Sequence, residues 1–241
     1  TLSKTEKQEV LSKIMEVNNG RLQVVLGVGG NNTAEVCSQL KALDTKGLTA
    51  VLSVSPAYNK PTQEGIYAHY TEVSKASPLP IILYNVPGRT SSNVATETTL
   101  QLARDFDNIV AIKEASGSLD QCTAIIKDRP EGFLVISGDD TLSLPIIASG
   151  GDGVISVVAN ALPRKYSELI SASLDGDLKT AQKHQYQLFD LINALFEEGN
   201  PAGVKAALNL LGICRPDVRL PLVKASAQLQ TKLKSQLNEI G

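Results

Sequence analysis

A parallel α/β fold is predicted by three features of this 241-residue sequence. Six short segments, at residues 24–30, 49–56, 81–87, 109–115, 133–140 and 153–160, are β-branched and apolar on both faces. That pattern suits strands covered on both sides in a parallel sheet. Segments of helical spacing separate them, and successive strand starts lie about 20–30 residues apart, the length of one strand–helix unit. Finally, each apolar segment runs into a polar or glycine-rich end: GGNN, SPAYN, NVPGRT, EASG, SGDD and VAN.

The elements follow in order. Residues 3–17 predict an amphipathic helix, with Ser3 as N-cap and Glu6 three residues on to complete a capping box. Between the strands, residues 33–43, 63–76, 97–104, 119–127 and 142–149 carry helical spacing. The remainder reads as helix only, at 164–174, 178–196, 201–211 and 222–237. Within it, Asn200 is expected as an N-cap with Pro201 at the first helical position, and Gly212 as the closing residue.

An open doubly wound sheet and a (β/α)8 barrel both fit this order, and both place ligands at the C-terminal ends of the strands. A closed barrel needs eight strands, and a natural six-stranded version would leave two raw parallel edges. The expected fold is therefore a (β/α)8 TIM barrel lacking its first two strands in this chain, with a helical C-terminal extension. Residues 1–162 form the barrel portion, strands three to eight, and residues 163–241 the last barrel helix and the extension.

Composition narrows the function. With 23 Lys+Arg against 25 Asp+Glu and a net charge of −2, no basic patch points to nucleic acid. No apolar run approaches the roughly 20 residues needed to span a bilayer. Neither nucleic acid nor membrane is an expected partner. Cys37, Cys122 and Cys214 are distant and odd in number, which reads as free thiols in a reducing, cytoplasmic compartment.

The chemistry centres on Lys113, set in the doubly buried strand 109–115. Strict alternation puts Ile109, Ala111, Lys113 and Ala115 on one face, with Val110, Ile112 and Glu114 on the other. Small Ala111 and Ala115 leave room beside the amine. Desolvation disfavours an ammonium, as a Schiff-base nucleophile requires. A structural lysine paired with a carboxylate from another strand is the alternative.

Tyr84 falls on one face with Ile82 and Val86, and reads either as core or as a phenol able to shuttle protons. Arg89, in the loop that follows, offers a planar fork to a carboxylate unless it is simply solvated. The stretch from Gly27 to Gly30 is a weak dinucleotide match and is rejected: Asn32 stands where the third glycine belongs, and no acidic residue ends the next strand. Asp139 and Asp140 suggest a helix N-cap rather than a metal site, since His69 and His184 are the only histidines. Neither cofactor nor metal is expected.

The segments YNVPGRT (84–90), IKEASG (112–117), SGDD (137–140), GVISVVAN (153–160), SPAYNKPTQEG (55–65) and NPAGVKAAL (200–208) resemble the dihydrodipicolinate synthase family of pyruvate-dependent class I aldolases. The resemblance runs along essentially the whole chain and in order. It implies a (β/α)8 barrel, usually a homotetramer built as a dimer of dimers, that condenses pyruvate with aspartate-4-semialdehyde in lysine biosynthesis. By position Lys113 is the Schiff-base lysine, Tyr84 the proton-transfer tyrosine, and Arg89 the binder of the aldehyde's carboxylate. Tyr58 matches a tyrosine that reaches into the neighbouring subunit's site, while Gly138 and the Ile155 carbonyl match pocket-lining positions.

The resemblance also implies a GTTGE segment just before Thr1, whose threonine joins the tyrosine relay. Asn31 and Glu35 match positions of the family's lysine-inhibition site. Ala57 stands in place of its stacking aromatic, and Lys4 and Lys7 stand where some sensitive enzymes carry histidines. Weak or absent lysine inhibition is expected. The rival readings are a sibling sugar-acid aldolase such as N-acetylneuraminate lyase, a keto-acid-binding barrel without turnover, and a metal-dependent aldolase.

Overall fold

The computed structural model describes residues 1–241. The chain divides into two compact units, Leu2–Ile136 and Ser137–Gly241, with Thr1 grouped with the second.

The first unit opens with α1 (Lys4–Asn18), closed at its start by the expected capping box. The Ser3 hydroxyl accepts from the Glu6 N–H at 3.2 Å, and a Glu6 carboxylate oxygen accepts from the Ser3 N–H at 2.8 Å. Strand–helix alternation follows: β1 (Val25–Gly27), α2 (Thr33–Lys41), β2 (Ala50–Val54), α3 (Gln63–Ala76), β3 (Ile81–Asn85), the short α4 (Pro87–Thr90), α5 (Thr96–Asp105), β4 (Ile109–Glu114), α6 (Leu119–Asp128) and β5 (Leu134–Ser137). Pairing follows chain order, and the β1–β2, β2–β3 and β3–β4 pairs are parallel.

The strands are shorter than the apolar segments suggested: β2 stops at Val54, before Ser55 and Pro56, and β5 at Ser137, before Gly138, Asp139 and Asp140. Their helix-side residues Val51, Ile81, Leu83, Ile109 and Ile112 are buried with Ile66, Tyr70 and Val73 of α3. Each such side chain contributes about 1.5–3 kcal/mol when buried. The opposite face carries a smaller cluster of Ala50, Ile82 and Ala111, with Leu52, Val110 and Ile136 against it. Gly29, just beyond β1, has no room for a side chain, since a Cβ there would come within 2.5 Å of the Val54 side chain.

Strict alternation fails in β4. Ile81 pairs with Ile109 but Ile82 pairs with Ala111, so Val110 is the extra residue of a bulge. Ile109 therefore joins Ile112 on the helix side, and Val110 joins Ala111 on the other face. This corrects the expected placement of Ile109 with Lys113 and of Val110 opposite it.

The second unit comprises α7 (Ser143–Ala148), β6 (Gly153–Val154), a 3-10 turn at Val158–Asn160, then α8 (Pro163–Leu174), α9 (Leu178–Phe196), α10 (Ala202–Leu210) and α11 (Ala227–Ile240). Tyr166, Leu169, Leu188, Leu191, Leu195, Leu229 and Leu233 fill its core. Three expectations need correction. Pro201, after a cis peptide bond, is itself the N-cap of α10, so Asn200 does not cap it. Residues 222–226 are not helical, and α11 begins only after Ser226, whose hydroxyl caps the Leu229 N–H at 3.1 Å. The sixth strand stops at Val154, and the rest of the 153–160 segment becomes loop and 3-10 turn. Gly212 does follow α10 in the left-handed region, at φ 73°.

Candidate active site

Past the bulge, alternation resumes with Ile112 on the helix side, Lys113 on the other, and Glu114 on the helix side again. Tyr84 and Lys113 are register partners, as are Asn85 and Glu114. The Lys113 Nζ lies 4.4 Å from the Tyr84 ring centroid, within cation–π range. Both residues are half-buried. Burial pushes the Tyr84 phenol up from its usual range, and the positive charge of Arg89 pulls partly the other way. The phenol therefore holds its proton at neutral pH, ready to donate it.

Arg89 sits on α4, whose first position is Pro87 and whose end is turned by Ser91 at φ 60°. Arg89 is exposed. Buried Thr90 ties this loop down: its hydroxyl donates to the Ser92 carbonyl at 2.8 Å, and its own carbonyl accepts from the Tyr58 N–H at 3.2 Å. The Ser92 hydroxyl donates to the Pro56 carbonyl at 3.2 Å. The loop bearing Tyr58 is thus fastened to the end of α4, which bears Arg89. Tyr58 itself has φ 75° and is 88% exposed, so its ring is held away from the packing of its own chain.

Behind this pair lies a buried polar node that local sequence pattern does not mark. Glu114 is 1% exposed. Its carboxylate accepts from Asn85 Nδ2 at 3.0 and 3.2 Å, from Gln121 Nε2 at 2.8 Å and from the Ser116 N–H at 2.7 Å. Asn85 Nδ2 also reaches Asn93 Oδ1 at 2.8 Å, and Asn85 Oδ1 accepts from the Val94 N–H at 3.0 Å. An asparagine beside a carboxylate position in two doubly buried strands was the available signal, since buried polar groups are hydrogen-bonded.

In the second unit Gly138 directly follows β5, and Ile155 directly follows β6, its N–H donating to the Ser137 carbonyl at 2.9 Å. Asp139 and Asp140 do not cap α7, whose cap is Leu142 with no side-chain bond. Instead Asp139 Oδ1 accepts from the Thr141 N–H and hydroxyl at 3.0 and 2.8 Å. Asp140, buried, instead accepts from the Val157 and Val158 N–H groups at 3.0 and 2.9 Å, the two donors at the start of the 3-10 turn. No group of three or more His, Cys, Asp or Glu is placed to hold a metal.

A parallel α/β sheet with a lysine and a tyrosine paired where two strands end defines an α/β protein with an amine-centred site. Residues 1–240 match the Dihydrodipicolinate synthetase family, and the chain belongs to that family. The 4-hydroxy-tetrahydrodipicolinate synthase of Flavobacterium psychrophilum is 50% identical over 233 residues, covering 97% of this chain and 80% of its own. That of Phocaeicola vulgatus is 49% identical, covering 100% and 81%. Among solved structures, dihydrodipicolinate synthase from Thermotoga maritima superposes with a TM-score of 0.97 at 40% identity, covering 100% of this chain and 82% of that one. The Acinetobacter baumannii enzyme complexed with pyruvate gives 0.95 at 39% identity, covering 100% and 82%.

Proposed function

We propose that the chain condenses pyruvate with aspartate-4-semialdehyde, through a Schiff base on Lys113, to give 4-hydroxy-tetrahydrodipicolinate. The pairing of the Lys113 amine with the Tyr84 ring carries the proposal, and membership of the family supports it. The neutral amine adds to the C2 carbonyl of pyruvate, and the carbonyl oxygen leaves as water to form the imine. Tyr84 donates and recovers the protons of that step. Loss of a C3 proton gives an enamine, whose C3 attacks the aldehyde carbon of the second substrate. The amino group of that substrate then adds to C2 and displaces the lysine, closing the ring. Arg89 holds the carboxylate of the aldehyde substrate in a bidentate charge-assisted pair.

The six strands correspond to the third to eighth of a (β/α)8 barrel, with residues 163–241 as the last barrel helix and a C-terminal extension. Exposed Tyr58 reaches a neighbouring subunit of a homotetramer, and the enzyme works in the cytoplasm. Gly138 and the Ile155 carbonyl, as pyruvate-pocket groups, rest on the family resemblance. With Ala57 offering no stacking surface and the ammonium groups of Lys4 and Lys7 opposing a cationic ligand, lysine inhibits weakly or not at all. Inhibition at low lysine concentration would contradict this.

Borohydride reduction in the presence of pyruvate, followed by mass mapping, tests the central claim. An adduct on Lys113 is expected, and trapping elsewhere or nowhere overturns it. Turnover of sugar acids with none of aspartate-4-semialdehyde would favour a sibling aldolase.

A further inference from the structure

We propose that Asn85 and Glu114 are positioning residues that pin the register of β4 beyond its bulge, and so decide that Lys113 faces Tyr84. This inference rests on the proposed Schiff-base role of Lys113.

Two registers are open to the end of β4. Continued without a bulge from the Ile81–Ile109 pair, the strand would set Tyr84 opposite Ile112 and Asn85 opposite Lys113. A one-residue slip exchanges the two faces of a strand. Lys113 would then point among the helices and Glu114 toward the site. The extra residue Val110 gives the observed register, in which Tyr84 meets Lys113 and Asn85 meets Glu114.

Apolar packing alone discriminates weakly here, since Val110, Ala111 and Ile112 are all apolar and fit either face. The polar pair discriminates strongly. In the observed register the buried Glu114 carboxylate collects donors from Asn85, Gln121 and the Ser116 backbone. In the slipped register that carboxylate loses all of them, and the Asn85 and Gln121 amides lose their acceptor. Leaving buried polar groups unmatched is far more costly than exchanging one aliphatic residue for another. The same node reaches Asn93 and Val94, so it also anchors the loop that follows Arg89.

The variant E114Q tests this, because it keeps shape but turns an amide NH2 toward groups that are themselves donors. Displacement of the amine by a fraction of an ångström to an ångström should lower kcat, and the rate of pyruvate trapping at Lys113, by roughly 10–100-fold. The pH dependence of trapping should move as well. Hydrogen exchange at residues 83–86 and 112–116 should quicken. The double variant N85D/E114Q restores one acceptor and one donor across the same strand pair, and should recover most of both readouts. Should E114Q fail to fold, N85A, which removes the donor from the other strand, is expected to give the same losses.

Unchanged trapping and exchange in E114Q, or equal losses in E114Q and the double variant, would overturn the register claim. A lowered thermal midpoint with normal trapping per folded molecule would do the same, leaving the pair merely structural. If the unaltered protein forms no adduct on Lys113, the proposed function falls instead. The exchange comparison still decides whether the pair pins the strand.

Discussion

Tyr84 and Lys113 meet because they are register partners on adjacent parallel strands, which brings the lysine Nζ to 4.4 Å from the tyrosine ring centroid. The ring packs against the amine, and in the proposed mechanism the phenol supplies the proton. Y84F keeps the first role and removes the second. It is expected to lower kcat by about 10²–10⁴-fold, the usual worth of a general acid–base group. Borohydride trapping of pyruvate at Lys113 should continue, at a reduced rate. Full turnover in Y84F would remove the tyrosine from the proton relay.

Arg89 acts on two observables. R89A is expected to raise KM for aspartate-4-semialdehyde on the order of 10–100-fold, the loss of one charge-assisted contact, with little change in pyruvate trapping. Arg89 also holds the Tyr84 phenol below where burial alone would put it. Removing the guanidinium lets that pKa rise further, so the alkaline limb of the kcat/KM profile should move to higher pH. An unmoved limb would show that Arg89 and Tyr84 are not coupled.

The strand–helix order, the α1 capping box and the line from Tyr84 to Arg89 were legible in the sequence because each rests on local pattern. Doubly apolar segments, Ser3 with Glu6, and a proline at the start of a turn carry their meaning within a few residues. The bulge at Val110 was not legible. Val110, Ala111 and Ile112 are interchangeable by hydropathy, and only the partner strand shows which of them is skipped. The roles of Asp140, and of Asn85 with Glu114, were hidden for a similar reason. Their partners lie 17 and 29 residues away, beyond the reach of any local rule. Tyr58 is a different case: its ring is exposed, so packing within its own chain gives no reading of it.

In the helical unit, α10 packs backbone-to-backbone on α9 at Gly203. A Cβ there would sit 2.2 Å from the Leu195 carbonyl oxygen and 2.9 Å from its Cα. Backbone cannot swing aside as a long side chain can, so α10 must shift. G203A should cost about 2 kcal/mol or more, at the upper end for overpacking. The measurement is the urea midpoint of the variant against that of the unaltered protein. A midpoint within error would mean that α10 moves freely on α9.

His69 gives the stability of the first unit a pH dependence. The residue is 4% exposed, its ring edge-on to Tyr70 at 5.1 Å between centroids, and its Nδ1 meets the Thr33 hydroxyl at 2.9 Å. Nε2 is buried with no hydrogen-bond partner in the protein. Burial lowers the pKa to about 4, against 6.5 for an unhindered histidine. Between those values the unfolded chain binds a proton that the folded chain refuses, so stability falls as pH drops from about 6.5 toward about 4. At about 1.4 kcal/mol per pH unit, the loss between pH 7 and pH 5 is roughly 2 kcal/mol. H69Q cannot titrate, and the difference in its urea midpoint between pH 7 and pH 5 should be smaller by that amount, whatever its absolute stability. Identical pH slopes in the two proteins would show that the buried imidazole accepts its proton without unfolding.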